Sequence, residues 1–398
     1  MARLEMLAGV LERLQGDDLS VFPYRCAVMR NRNAGCTRCA QACTSGAIAI
    51  DCDEVVIDPQ RCAGCGTCAT VCPTCALEAR HPNDAELAQL VARALEATGD
   101  TLVIVCDALW RRNAGRIDPQ RAVRVTCLGR VDESVLVEAV SHGARRLLLA
   151  HASCECCPRS MGRATYGEVV DTANLLLEAW GSPVRAELRE RLPPCVRLEG
   201  PAAVGLAYDE GRRSLLARAA RAGAQAIGQG TDAPVGEDGE RYVERGRPLK
   251  VMLDGTLPHF LPDRRERLLD ALACLGEPAD VTLETRLWGR VDIDVDRCKT
   301  CLMCATFCPT GAISKVMGPE GRVTLEHRPA DCVKCSCCTD VCPTEALALR
   351  EDVLAREIAD GAVAESFELP PVRDGRGGPH SMIGALKKII HFDQLYER

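Results

Sequence analysis

Residues 298–313 read CKTCLMCATFCPTGAI and residues 332–347 read CVKCSCCTDVCPTEAL. Each places cysteine at i, i+3, i+6 and i+10, then a turn segment and an apolar pair. The same unit recurs as CAGCGTCATVCPTCAL over residues 62–77 and, stretched, as CTRCAQACTSGAI over residues 36–48, where nine residues separate Cys26 from Cys36. The chain therefore contains an internal repeat built on thiols. Of its 26 cysteines, ten lie between Cys26 and Cys75, five between Cys106 and Cys157 and nine between Cys298 and Cys342. That density in 398 residues is too dilute for a small disulfide scaffold and points to metal.

The length allows two to three domains. The opening MARLEMLAGVLERLQG carries Glu5 and Glu12 among its apolar positions, so it reads as an amphipathic helix and not a signal peptide, which predicts a reducing, cytoplasmic setting. No apolar run reaches the length of a membrane span, so no membrane insertion is expected. A net charge of -7 with 3% aromatics argues against nucleic acid. Only six of the 49 basic residues are Lys, and pairs such as Arg111/Arg112 and Arg264/Arg265 read as solvated or ion-paired faces reflecting an arginine bias.

Thiolates at the Cys-x2-Cys-x2-Cys-x3-Cys spacing wrap a loop and one helical turn around an iron–sulfur cubane, three sulfurs reaching one cluster and the fourth its neighbour. Short strands are expected around the runs, at Val55–Ile57 and Val291–Val295. Each outer block resembles a bacterial-type two-cluster ferredoxin domain, over about residues 24–82 and 290–350. The resemblance implies four 4Fe–4S clusters with crossed ligand sets: Cys62, Cys65, Cys68 with Cys43; Cys36, Cys39, Cys72 with Cys26; Cys298, Cys301, Cys304 with Cys342; and Cys332, Cys335, Cys338 with Cys308. Two departures stand out. Asn33 occupies the usual place of the ligand assigned to Cys26, so a longer loop must bring Cys26 in, and Thr44 replaces the Pro that follows the fourth cysteine elsewhere. Cys52, Cys75, Cys337, Cys195 and Cys274 read as plain thiols; the position of Cys75, held elsewhere by Gly46, Gly311 and Glu345, reads as tolerant.

The middle of the chain is different. TLVIVC (101–106), AVRVTC (122–127) and RLLLA (146–150) read as strands buried on both faces, with a helix capped by Asp132 running to about His142 and stopped by Gly143, and another from Gly162 to Trp180. This is a parallel α/β sheet. Cys106 and Cys127 fall at carboxyl strand ends, and Cys154, Cys156 and Cys157 follow the third strand, so thiols converge on the sheet edge where ligands bind. From the residues alone, an iron–sulfur cluster, zinc, a dithiol or buried packing thiols remain open.

The segment VRVTCLGRVDESVLVEAVSHGARRLLLAHASCECC, through Cys127, Gly129, Arg130, Val131, Asp132, Gly143 and Ala144, resembles the delta subunit of methyl-viologen-reducing hydrogenase. That resemblance implies a 2Fe–2S cluster, with Cys106, Cys127, Cys154 and Cys157 as candidate ligands. It also implies electron exchange between hydrogenase or formate-oxidising partners, or another molybdenum enzyme, and heterodisulfide-reductase-type enzymes. The first strand lacks the family's second cysteine, Leu109 and Trp110 standing in its place, and the CECC loop is more compact.

The expected architecture is an α/β central domain with a parallel sheet, flanked by two α+β two-cluster domains. Its parts are a helix (1–20), a two-cluster domain (21–82), the α/β domain (83–195), a helical connecting region (196–289), a second two-cluster domain (290–350) and a C-terminal helix, linker and docking tail (351–398). The connecting region carries two echoing helical segments, GRRSLLARA from Gly211 and DRRERLLDALA from Asp263, around a Gly-rich loop. No glycine-rich dinucleotide fingerprint occurs in the central sheet. The function expected is a multi-cluster electron-transfer subunit working with other oxidoreductase subunits. The alternatives are an oxidoreductase acting on a disulfide or small acceptor at the central cysteines, and a redox sensor.

Overall fold

The computed structural model describes residues 18–155, 157–198, 256–319 and 322–369. The expected N-terminal helix up to residue 17, the GRRSLLARA segment, the Gly-rich stretch and the docking tail from residue 370 lie outside the described residues, while residues 19 and 20, placed in that helix, begin a strand instead.

The apolar run TLVIVC forms β1 (Thr101–Cys106), with all of its residues buried. It is sandwiched in a four-stranded parallel sheet of order β2-β1-β3-β4, with β2 at Val123–Val125, β3 at Arg146–Ala150 and β4 at Ala186–Arg189. An inner parallel strand covered by helices on both faces needs an uninterrupted apolar sequence, which is why this run was legible. The second strand ends earlier than expected. Cys127 lies past it, capping a 3-10 turn (Leu128–Arg130) through the Gly129 amide, which donates to Cys127 Sγ at 3.5 Å.

Helices α1 (Asp84–Thr98), α2 (Asp107–Arg112), α3 (Glu133–Ser141) and α4 (Gly162–Ala179) complete this layer. α3 begins at Asp132, whose side chain accepts the Ser134 amide at 3.0 Å, and gives way at His142 to Gly143, whose φ of 97° only glycine adopts freely. α1 was not anticipated, although Asn83 and Glu86 form a reciprocal capping box ahead of Leu87, Val91, Ala94 and Leu95, all buried. α5 (Asp263–Leu275) lies against α3 and shares the central apolar core with α6 (Ala355–Asp360) and Trp288. The C-terminal helix starts later than Glu351 because Asp352–Leu354 pairs as a strand with Thr282–Glu284.

Two further units repeat one plan. In the first, Leu19–Val21 pairs antiparallel with Leu77–Ala79, and between them Ile48–Asp51 pairs with Glu54–Ile57. In the second, Arg290–Ile293 pairs with Leu347–Arg350, and between them Ile313–Met317 pairs with Val323–His327, which gains Glu365–Glu368 as a third strand. Each unit thus runs strand, cysteine run, hairpin, cysteine run, strand. Cys52 is not a strand residue: with Asp53 it makes the first hairpin's turn, at φ 48° and 63°. Among the described residues no helix is long and apolar enough to cross a membrane.

Candidate metal centres

Within the three regular cysteine runs the same two positions take left-handed backbone: Gly64 and Gly66, Thr300 and Leu302, Lys334 and Ser336, with φ between 51° and 75°. Such alternation turns successive amides to one side and makes a concavity for an electron-rich group. Glycine adopts it freely, whereas Thr300, Leu302, Lys334 and Ser336 do so at a cost, which is typical of backbone held for function. A second device follows the fourth cysteine. Gly46, Cys75, Gly311 and Glu345 all have positive φ, from 49° to 73°, so the position that looked merely tolerant is a required left-handed turn. Its effect is to bring the next alanine amide onto sulfur: Ala47 donates to Cys43 at 3.2 Å, Ala76 to Cys72 at 3.2 Å and Ala346 to Cys342 at 3.3 Å. Burial raises the Cys43 and Cys342 thiols, yet these amides and the Ser45 and Thr344 hydroxyls bring both below the ordinary thiol range.

The fold brings several expected ligands together in apolar clusters: Cys39, Cys43, Cys68 and Cys72 in the first unit, and Cys298, Cys304, Cys308, Cys332 and Cys338 in the second. Burial, then Cys65, Cys62, Cys39 and Cys43, pushes the Cys68 thiol far up, whereas Cys39 rises to about 12 through burial and then Cys72, Cys26 and Cys36. In the second unit Cys304 is raised by burial and by Cys301, Cys298 and Cys342, and Cys338 by burial, Cys335, Cys332 and Cys308. Cys26 is brought in as well. It caps the short helix Ala27–Arg30, is buried beside Cys36 and Cys72, and is pushed up to about 11 by burial, with Cys72 and Cys36 adding to it. Among the described residues no three His, Cys, Asp or Glu side chains are grouped so as to hold a metal ion. Desolvated thiols facing amide-lined turns suit 4Fe–4S groups, which take thiolates and accept hydrogen bonds at sulfur.

Thiols of the two units are neighbours too. Cys36, Cys335 and Cys337 share one apolar cluster with Ala27, Ala34, Leu257 and Phe307. The Gly35 amide donates to Asp340 at 2.8 Å, and Arg38 donates to the Lys334 carbonyl at 2.7 Å. The nine-residue insertion after Cys26 is therefore the piece that docks on the second unit. Cys337 belongs to this seam, fully buried, its thiol directed at the Phe307 carbonyl at 3.6 Å.

Arg264 and Arg265 do not form a solvated face: both are buried. Arg264 donates to Cys75 Sγ at 3.2 Å and to the Ala69 carbonyl, and lies 3.7 Å from Asp84 and 3.8 Å from Asp132. Arg265 stacks over Trp288 at 4.4 Å and donates to the carbonyls of Leu287 and Ala330, the latter two residues before Cys332. One helix end thus ties both cysteine units to the sheet. Nothing in an isolated sequence marks an arginine as buried, because its partners come from elsewhere in the chain. Arg111, in contrast, is exposed and pairs with Asp107 at 2.8 Å, as expected.

At the carboxyl edge of the sheet Cys127 is pushed up to about 12 by burial, with Cys65, Cys154 and Cys157 adding to it. Cys106 Sγ accepts the Ala152 amide at 3.4 Å and the Leu109 amide at 3.5 Å, which seats it under the loop that carries Cys154. The Cys154 sulfur lies 3.3 Å from the hydroxyl of buried Tyr166, against which the His151 ring packs at 5.5 Å. Cys156 lies outside the described residues. This edge abuts the first unit. A Cβ on Gly129 would come 2.5 Å from Thr67 Oγ1, and one on Gly162 2.6 Å from Cys127 Sγ, so glycine lets the Cys65–Cys68 turn close on the sheet. Cys195 and Cys274 join none of these groups; Cys274 is exposed.

Residues 297–346 match the family described as 4Fe-4S dicluster domain, and residues 54–77 match the 4Fe-4S binding domain. A ferredoxin of Methanothermococcus thermolithotrophicus is 36% identical over 63 residues, 15% of this chain and 98% of that protein. An uncharacterized ferredoxin of Methanocaldococcus jannaschii is 41% identical over 59 residues, 14% of this chain and 89% of that protein. No solved structure matches the chain.

Proposed function

The chain belongs to the ferredoxin family through its 4Fe–4S segments, which indicates iron–sulfur electron transfer, and from that premise we propose that it is a five-centre wire. In order, its centres are the Cys298/Cys301/Cys304/Cys342 quartet, the Cys308/Cys332/Cys335/Cys338 quartet, the Cys26/Cys36/Cys39/Cys72 quartet, the Cys43/Cys62/Cys65/Cys68 quartet and a 2Fe–2S group on Cys106, Cys127, Cys154 and Cys157. The observation that supports this order is a series of neighbouring thiols: Cys304 and Cys338, Cys335 and Cys36, and Cys39 and Cys68 each share an apolar cluster, and the Cys65–Cys68 turn abuts the Gly129 and Gly162 edge that carries Cys127. Each cluster, when bound, supplies a one-electron couple. The chain's own residues desolvate the thiolates, offer amide donors to sulfur and fix the spacing, which together set potential and path. The two ends would serve separate oxidoreductase partners, of the hydrogenase or formate-dehydrogenase kind on one side and a heterodisulfide-reductase-like enzyme on the other.

A chain purified without oxygen should hold about 18 irons, and Cys127→Ser should remove about two of them while the 4Fe–4S signals persist. Wild-type protein with about 16 irons and freely alkylated central thiols would sink the fifth centre. The contact of Tyr166 with Cys154 favours a second reading, a disulfide-reducing site at the same edge. Turnover of a disulfide by the pure reduced chain, without partner proteins, would establish it in place of the wire's terminus.

A further inference from the structure

Arg30 sits on the short helix of the nine-residue insertion and is 1% exposed. Its Nη1 is fully used, donating to the carbonyls of Tyr24 at 3.0 Å and Pro258 at 2.9 Å. These two bonds anchor the insertion and stitch the first unit to the segment that leads into the second. The remaining donors are not accounted for by any such role. Nε and Nη2 are buried and have no hydrogen-bond partner among the described residues, cysteine sulfurs included. A guanidinium cannot shed its charge to escape this, and buried N–H groups without acceptors are costly.

The surroundings indicate what those donors serve. Ala27, one turn earlier on the same helix, packs in the apolar cluster that contains Cys335 and Cys337. Burial lowers the Arg30 guanidinium, and the Cys337, Cys308 and Cys335 thiols nearby act against that. These are residues of the second unit, although Arg30 belongs to the first. Adding one electron to a 4Fe–4S group adds one negative charge, and a buried cation with free N–H donors stabilises that added charge more than the oxidised state.

We propose that Arg30 is a positioning residue for the second unit's Cys308/Cys332/Cys335/Cys338 group, its Nε and Nη2 hydrogens directed to that group's sulfur and holding it easier to reduce. The inference rests on the wire proposed above. It makes the seam an electronic element as well as a packing one, because the potential of one unit's inner cluster is set by the other unit's side chain.

The test is a mediated redox titration of the full, cluster-loaded chain followed by electron paramagnetic resonance, comparing wild type, Arg30→Gln and Arg30→Lys. One 4Fe–4S step alone should move to lower potential in Arg30→Gln, by at least tenfold in its reduction equilibrium, about 59 mV for one electron. Arg30→Lys, which keeps the charge but loses the planar donors, should move the same step by less. Cys335→Ser should abolish the step that moves. All four steps staying in place, all moving together, or the moving step vanishing instead with Cys36→Ser would overturn the proposal. If Arg30→Gln loses iron, Arg30→Lys decides, a wild-type titration or a second loss of iron leaving the side chain a mere strut. Failure of the wire itself is read separately, as a wild-type chain without four 4Fe–4S steps.

Discussion

A cysteine that stands ten positions ahead of the next one in its run depends on its loop more than its regular counterparts do. Cys26 reaches Cys36 and Cys72 only because a 3-10 turn (Pro23–Arg25) and the helix Ala27–Arg30 fold the insertion back. Cys26→Ser is therefore expected to lose about one 4Fe–4S group and leave the other three, as counted by iron and acid-labile sulfide; an undiminished count would mean that Cys26 is a packing thiol. His327 gives a different kind of prediction. It is 1% exposed, neither ring nitrogen has a partner among the described residues, and burial with Arg290 nearby lowers it to about 4. Since the unfolded chain takes up this proton near pH 6.5 and the native chain does not, stability is complete above pH 6.5 and falls as pH drops toward 4. The slope approaches about 1.4 kcal/mol per pH unit. Denaturant titrations at pH 7 and pH 5.5 should show wild type losing roughly 1 kcal/mol more than His327→Leu. Equal losses would show that the imidazole is already solvated. At this scale the sequence was legible for the cysteine runs that match 4Fe-4S families, whose spacing is local, and silent for Arg30, Arg264 and His327. Their burial is decided by residues far away in the chain, such as Pro258, Asp84 and Arg290.

The same division holds among elements. β1, β3, α3 and α4 were readable because each carries its own periodicity or cap. β2 was overextended, since the apolar pattern continues past the point where the Cys127 turn leaves the sheet. The placement of Cys127 near Cys154 and Cys157, and of Cys106 beside Ala152, was foreseeable from parallel topology, but the approach of the Cys65–Cys68 turn to that edge was not. It depends on Gly129 and Gly162, which look unremarkable in the sequence. Gly162→Ala should displace Cys127, because the added methyl would sit 2.6 Å from its sulfur. The expected result is loss of the central centre with the 4Fe–4S signals retained. Retention of about 18 irons would show that α4 can shift to make room.

For the whole molecule, Arg264 decides whether the parts behave as one. Its guanidinium joins Cys75 and Ala69 of the first unit to Asp84 and Asp132 of the α/β layer, and removing it would leave buried Asp132 with Arg130, 4.0 Å away, as its remaining ion pair and Ser134 as its hydrogen-bond donor. A buried charge left with no partner costs about 3–5 kcal/mol, and the partners that remain reduce this to about 1–3 kcal/mol. Arg264→Met should therefore lower stability by that amount and split a single unfolding transition into two, seen by calorimetry of the loaded chain. One undivided transition at the wild-type midpoint would assign the joint to apolar packing alone.

The adjacency of the quartets across the seam has one more consequence, for stoichiometry. Separate ferredoxins deliver electrons in independent collisions, so an acceptor needing a pair must wait for two encounters. Here Cys36 lies beside Cys335 and Cys337, and Cys65 beside Cys127, within one folded body. In the proposed wire, several one-electron couples held in series would act as a reservoir. A donor would unload two electrons in quick succession and the far end would release them one at a time, which would convert pair-wise chemistry on one side into single-electron chemistry on the other.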